Sequence, residues 1–330
     1  MKDLAIVTGG AGFIGSHTVD LLISRGFRVR VIDDLSGGRL SNLARHVGNP
    51  DLEVYEQDIR TLEPGNAVFA GARHVYHFAG IGDIVPSIER PLAYMDVNVQ
   101  GTVRVLECAR AAAVEKLVYS ASSSCYGLAD VPTREDHPIR PQYPYALSKW
   151  MGEQAGFHWH QVYGLPVNSV RIFNAYGPRV RTTGAYGAVF GVFMRQKLAG
   201  APFTLVGDGT QRRDFVFVTD VARAFFAAAN TPLVGRVWNL GTGNPQTVNR
   251  LVELIGGPVT YLPKRPGEPD CTWADITPLT SELGWAPEVP FEEGVGRMMA
   301  EIEVWRDAPL WNPDSIAEAT KTWFTYLKKD

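Results

Sequence analysis

Short apolar, β-branched runs recur along the first half of the chain: LAIVTGG from Leu4, RVRVIDD from Arg28, LEVYEQD from Leu52, HVYHFAG from His74, KLVYSAS from Lys116 and VNSVRIFN from Val167. Between several of them the apolar spacing turns helical, as in the segment from Phe13 with Ile14, Val19, Leu22 and Ile23, and in a stretch from about Pro91 to Ala113. Strands that are apolar on both faces and alternate with helices predict a parallel sheet covered on both sides, an α/β doubly wound architecture.

The second half changes character. Gly and Pro become frequent in YGPRVRTTGAYGAVFG, VGDGTQRRDF and GGPVTYLPKRPGEPD, and the strand–helix rhythm loosens. This predicts a smaller, mixed α/β, loop-rich unit over about 176–211 and 243–330, with 1–175 and about 212–242 forming the first domain. The helical segment FVFVTDVARAFFAAAN and the strand RVWNLGTG are regular enough to return to that first domain. The tail WNPDSIAEATKTWFTYLKKD predicts one more helix. Asn312 is its cap, Pro313 its first position, and Ile316, Thr320, Trp323 and Leu327 share a face.

The bulk numbers narrow the function classes. Of 330 residues, 45% are hydrophobic and 20% charged, with a net charge of −3, so no basic field gathers nucleic acid or an anionic membrane surface. No run approaches the roughly 18–20 apolar residues of a membrane span, and the N-terminus lacks a signal peptide's core and cleavage site. Three widely spaced cysteines, Cys108, Cys125 and Cys271, read as free thiols in a reducing compartment, hence a cytoplasmic protein. His158 and His160 stand about 200° apart on a helix and cannot share a metal, so no metal is expected.

Chemistry enters at the first turn. LAIVTGGAGFIGSH reads as strand, glycine turn and helix start, and Gly10-x-Gly12-x-x-Gly15, overlapped by Gly9-x-x-Gly12-x-x-Gly15, matches a dinucleotide fingerprint. Glycines there allow the tight turn, the approach of backbone to a pyrophosphate and close packing of helix on strand. Asp33 lies 18 residues beyond Gly15, where an acid binds the adenosine ribose and repels a 2′-phosphate. NAD is therefore favoured over NADP, with Arg39 nearby as the one feature pointing the other way. Asp58 stands where an acid reaches the adenine or merely caps a surface turn. Tyr145-x-x-x-Lys149 falls at helical i,i+4 spacing after Pro144, which puts both side chains on one face. A phenol with its ordinary pKa near 10 is a poor base, and a lysine one turn away favours its ionised form.

In this order, TGGAGFIGSH, HFAG, NVQGT, SASSSCYG, YALSK, RIFNAYGP, GDGTQRRDF and LGWAP together resemble the extended short-chain dehydrogenase/reductase family, in particular its nucleotide-sugar epimerases and dehydratases, over nearly the whole chain. The resemblance implies a Rossmann-type domain with a nucleotide-sugar-binding domain. It implies NAD held by Gly9, Gly12, Phe13, Ile14, Gly15, Asp33, Asp34, Asp58, Ile59, Phe78, Ala79 and Lys149. By the same resemblance Tyr145, Lys149, Ser122 and Ser123 are catalytic. Asn174, Arg213, Arg265, Glu268 and Thr272 then bind the substrate with Ser122 and Tyr145, and Arg212 is a substitute for Arg213. Asn98 holds backbone near the cofactor.

The serine run narrows the reaction by subtraction. Related dehydratases resemble Thr-Asp-Glu at the position of Ser122 and the two after it, and uronate decarboxylases keep a Glu; here the sequence has Ser123 and Ser124. Enzymes that also epimerise next to a keto group use a Cys two residues before the YG tyrosine with a later His; here Cys125 is one residue off and Asn174 stands in the later strand. What remains is hydride transfer at one carbon. The resemblance thus implies a 4-epimerase of a UDP-hexose or UDP-N-acetylhexosamine, with Thr272 leaving room for a 2-acetamido group. A homodimer and a role in cell-surface polysaccharide synthesis are implied too. The alternatives are a UDP-glucuronate 4-epimerase, for which Arg179 or Arg181 would supply the cation, and a 4-keto-sugar reductase.

Overall fold

The computed structural model describes residues 2–182 and 189–327, so residues 183–188 of the glycine-rich YGPRVRTTGAYGAVFG stretch lie outside the described residues. In chain order the strands are β1 (Leu4–Thr8), β2 (Arg28–Asp33), β3 (Leu52–Glu56), β4 (His74–His77), β5 (Lys116–Ser122), β6 (Val167–Ile172), β7 (Asn174–Tyr176), β8 (Phe203–Val206), β9 (Arg212–Arg213), β10 (Phe215–Phe217), β11 (Val237–Leu240), β12 (Gln246–Thr247) and β13 (Val259–Leu262). Seven of them form one parallel sheet in the order β3-β2-β1-β4-β5-β6-β11. The chain winds outward from β1 in one direction and from β4 in the other, and the crevice at such a reversal is where an open α/β sheet takes its ligand. In register, Thr8 faces both Ile32 and His77, and Ser122 faces Ile172. The glycine turn, Asp33, Phe78 and the serine run therefore all end on one edge.

Apolar helix faces cover both sides, as parallel strands require. Val19 and Leu22 of α1 (Phe13–Ser24) pack with Val7, Val31, Val118 and Val170 of the sheet. On the opposite side lie the short helices α2 (Ile84–Glu89) and α3 (Pro91–Met95), then α4 (Thr102–Ala111) and α5 (Pro144–Tyr163). There Val105, Leu106 and Ala109 of α4 meet Ile6, Val75 and Leu117. The helix expected over Pro91–Ala113 is interrupted by a π turn at Asp96–Gly101. One inserted residue of this kind re-aims side chains and recurs at functional sites.

The remaining helices are α6 (Val189–Leu198), α7 (Val218–Asn230), α8 (Val248–Ile255), α9 (Thr277–Leu283), α10 (Phe291–Ala300) and α11 (Pro313–Leu327). A third apolar cluster joins Phe190 and Phe193 of α6, Leu205 of β8, Leu251 of α8 and Met298 of α10. Two segments cross the boundaries expected from sequence. Residues 212–217 pair with β12 and β7 outside the main sheet, whereas α7 lies on it beside α1. Leu279 of α9 and Trp285 also enter the core of the main sheet. The last helix starts as expected: the Asn312 carboxamide accepts from the Ser315 amide at 2.8 Å, and Ile316, Thr320 and Trp323 are buried. Among the described residues no helix is long and apolar enough to cross a membrane.

Candidate active site

The β1–α1 turn is shaped for a pyrophosphate by what it lacks. A Cβ on Gly15 would lie 2.1 Å from the Gly9 carbonyl oxygen, and one on Gly9, which has φ +69°, would lie 2.7 Å from the Ala79 nitrogen. Backbone thus crosses backbone at a separation no side chain allows. Phe13 and Ile14 open α1 here, and the first amides of a helix have no intrahelical carbonyl to bond. Asp33, buried at the end of β2, anchors the floor: its two carboxylate oxygens accept from the Ala11 and Leu35 amides, each at 2.9 Å. Burial raises the Asp33 carboxyl above its usual pKa, and these two amides oppose the rise. Asp34 turns the other way and accepts from Ser36.

Asp58 caps a single 3-10 turn and pairs with Arg60 at 2.6 Å. Ile59 after it is buried, and a Cβ on Gly101 would come 2.6 Å from its tip. Phe78 packs on Phe225 with ring centroids 4.5 Å apart, and the Ala79 amide reaches the Thr8 hydroxyl at 3.3 Å. Asn98, on the π turn, holds Ile81 at both backbone ends, accepting from its amide at 2.8 Å and donating to its carbonyl at 3.0 Å. The glycine cradle, Asp33 and this clamped loop fit a dinucleotide.

The residues expected to be catalytic lie between β5 and α5. Tyr143 is the N-cap of α5 and Pro144 its first residue, which places Tyr145 in the first turn. Burial pushes the Tyr145 phenol up, and a hydrogen bond with Ser122 is what pulls it down. Lys149, one helical turn beyond Tyr145, is buried on the same helix. Burial brings the Lys149 ammonium down to about 8, against the raising influence of Glu153, and the ammonium sits 4.6 Å from the centre of the Tyr119 ring. Ser122 caps the 3-10 turn Ser123–Tyr126, and its oxygen meets the Ser124 amide at 3.2 Å and the Ser124 hydroxyl at 2.8 Å. Ser123 lies on the same turn. Burial lifts the Cys125 thiol up to about 12, so it is no nucleophile at neutral pH.

A second constellation forms where β9, β10 and the 265–272 loop meet. Arg213 donates to Glu268 at 2.8 Å and to the Pro269 carbonyl at 2.9 Å. Arg265 lies 3.6 Å from Glu268 Oε2, a buried oxygen without a hydrogen bond. Thr272 donates to Asn174 at 2.7 Å. Arg212 instead turns to the Pro245 carbonyl at 3.0 Å, so Arg213 is the arginine brought to the cluster. Of the two other arginines, Arg179 is committed to Asp20 at 2.7 Å, and Arg181 faces Asp83 at 4.0 Å.

A family model described as "NAD dependent epimerase/dehydratase family" matches residues 5–241. The chain belongs to this family. It is 36% identical over 305 residues to a putative UDP-glucose 4-epimerase of Methanocaldococcus jannaschii, covering 90% of this chain and 97% of that one. Among solved structures it is similar to the UDP-N-acetylglucosamine 4-epimerase of Methanobrevibacter ruminantium, with TM-score 0.86, 32% identity and coverage of 92% and 99%. It is also similar to the UDP-glucuronic acid 4-epimerase of Bacillus cereus, with TM-score 0.85, 28% identity and coverage of 91% and 99%.

Within the family frame, two residues that sequence reasoning passed over organise the site. Asp214, fully buried, accepts from Thr242, Gly243 and Ala274 and so ties the strand carrying Arg213 to the loop carrying Thr272. Glu153 pairs with Arg171 beneath the serine turn. A carboxylate one helical turn beyond Lys149 was the available signal for Glu153; its partner on β6 is visible only in space. Asp220, in the first turn of α7, accepts from the Glu288 and Val289 amides.

Proposed function

We propose that this protein is an NAD-dependent 4-epimerase of a nucleotide sugar, a UDP-hexose or UDP-N-acetylhexosamine, working through a transient 4-keto sugar. The observation that carries the reading is the Tyr145–Ser122 pair at the cofactor edge of the sheet, on a turn that continues with Ser123 and Ser124 in place of an acid and base. Bound in this cradle, NAD⁺ would supply the hydride acceptor for the sugar's C4 and, once reduced, the hydride donor. Tyr145 takes the proton of the 4-hydroxyl at its phenolic oxygen, and Ser122, supported by Ser123, holds the sugar oxygen. Lys149 holds the nicotinamide ribose and keeps positive charge beneath the phenolate. Arg213, Arg265, Glu268 and Asn174 grip the nucleotide while the sugar turns over, and arginine forks suit a diphosphate. The small Thr272 leaves space for a 2-acetamido group. Gly9, Gly12, Phe13, Ile14, Gly15, Asp33, Asp34, Asp58, Ile59, Phe78 and Ala79 form the proposed NAD cradle.

Two copies pair through α4 and α5, whose Leu147, Met151 and Val162 are exposed apolar side chains on α5; sedimentation of the wild type and of Met151→Glu tests this. The uronate alternative is weakened by Asp83, which already faces Arg181. Incubating the protein, without added cofactor, with UDP-glucose, UDP-GlcNAc or UDP-glucuronate and following the sugar by proton NMR tests the function. One 4-epimer without net NADH is expected; an unchanged sugar in all three, with NAD bound, would refute it.

A further inference from the structure

The loop that follows β13 carries Arg265 and Glu268 and is held from two sides. Its later half is tied to β9: the Arg212 amide donates to the Asp270 carbonyl at 2.8 Å, and the Thr272 amide to the Arg212 carbonyl at 3.0 Å. Its earlier half meets α11, which lies wholly beyond the family match at residues 5–241. The buried Trp323 indole donates to the Pro266 carbonyl, between Arg265 and Glu268, at 2.8 Å. Four residues on, the Leu327 carbonyl oxygen stands 3.7 Å from where a Cβ on Gly267 would be, and Gly267 turns the chain at φ +70°. α11 thus meets the Pro266–Gly267 turn at two points about one helical turn apart.

The same indole reaches the helix of Tyr145 and Lys149. Its ring lies 6.1 Å from that of Tyr143, the N-cap of α5, and the Tyr143 ring runs parallel to that of Tyr145 with 7° between their planes. From the neighbouring position on α11, the Thr322 hydroxyl donates to Glu89, the last residue of α2, at 3.2 Å. An indole carries one donor on a rigid frame, so a helix seated on α2 and α5 sets where the Pro266 carbonyl stands.

Building on the reading of Arg265 and Glu268 as part of the nucleotide grip, we propose that Trp323 is a positioning residue for substrate binding: it latches the turn between them to the head of α5. The two side chains that hold the nucleotide are thereby kept in register with Tyr145. The latch acts on affinity for the nucleotide and leaves the hydride and proton steps alone.

The first test needs no variant. Coupling between two sites is reciprocal, so a helix that orders the loop for UDP is itself ordered by UDP. Hydrogen exchange in the NAD-loaded protein should slow on adding UDP in peptides from 313–327 as well as from 263–270. Protection of the loop without protection of α11 would overturn the proposal. Trp323→Phe then removes the donor and keeps a ring against Tyr143. It is expected to weaken UDP binding, measured by calorimetry, about three- to tenfold, and to raise KM by the same factor with kcat and NAD content unchanged. In an Arg265→Ala background the same change should cost roughly twofold or less, because its effect runs through the loop that Arg265 serves. An equal loss in both backgrounds, a loss in kcat or NAD content instead, or UDP affinity like that of the wild type would overturn it. Arg265→Ala alone separates the two readings. A loss of about tenfold in UDP affinity keeps the grip whatever Trp323 does, whereas an unchanged affinity refutes the grip and the latch with it.

Discussion

Glu153→Gln isolates the buried ion pair beneath the serine turn. In the wild type, Glu153 and Arg171 side chains are 1% and 6% exposed. Glu153 Oε1 accepts from Arg171 at 2.6 Å, and Oε2 accepts from Arg171 Nε at 3.0 Å and Ser169 at 2.8 Å. The guanidinium goes on to Tyr126 at 2.7 Å and the Glu135 carbonyl at 3.0 Å, and Tyr126 donates to Asn239 at 2.7 Å. Burial works against the Arg171 charge, but hydrogen bonding to Glu153 holds it above its ordinary pKa, so it cannot escape by losing its proton. Glutamine keeps the shape, removes the charge and aims an amide donor at groups that already donate.

Leaving one member of a buried pair uncompensated costs about 3–5 kcal/mol. For a chain of 330 residues the unfolding entropy is roughly 0.7 kcal/mol/K, so Tm should fall by about 4–7 °C. Scanning calorimetry at matched NAD content measures this. Replacing both partners by apolar residues of like volume, Glu153→Leu with Arg171→Met, should recover much of the loss. Because Glu153 also raises the Lys149 ammonium, which stands at about 8, its removal should move the alkaline limb of kcat to lower pH. A Tm within about 1 °C of wild type would refute the claim that the pair is uncompensated once broken.

Gly15→Ala places a methyl group 2.1 Å from the Gly9 carbonyl, so the purified protein should carry less than a tenth of the wild-type NAD, read by absorbance after denaturation. His17 and His74 are held neutral chiefly by burial, with pKa values down from 6.5 to about 4, and His77 down to about 3. The unfolded chain binds more protons throughout that window, so stability is present above pH 6.5 and is lost as pH falls through it toward 4, visible as a Tm that drops with acid; a flat Tm over that range would contradict the burial argument. Thr272→Tyr puts a phenol beside Asn174 and should abolish turnover of a UDP-N-acetylhexosamine while sparing a UDP-hexose, measured by NMR on each.

The parallel sheet was legible in the chain because strands buried on both faces must be apolar at every position, and that leaves runs such as those from Leu4 and Lys116. The cofactor cradle was legible for a related reason: Gly9, Gly12 and Gly15 stand where backbone must touch backbone, which is a local demand on residue type. Tyr145 and Lys149 were readable because helical spacing alone puts them on one face. Contacts that join distant parts of the chain carry no such signature. Nothing local indicates that Arg213 rather than Arg212 turns to Glu268, since both sit on one short strand and only packing against the 265–272 loop distinguishes them. The π turn that aims Asn98 at Ile81 leaves the apolar pattern nearly unchanged, so the sequence reads as unbroken helix. Arg171 beneath the serine turn, Asp214 between two loops and Trp323 behind Tyr143 are set by which surfaces meet once the sheet is covered. Local residue type determined the scaffold and the cofactor turn. Burial and non-local hydrogen bonding, which exist only in the folded chain, decided how the hydroxyls at the serine turn are held.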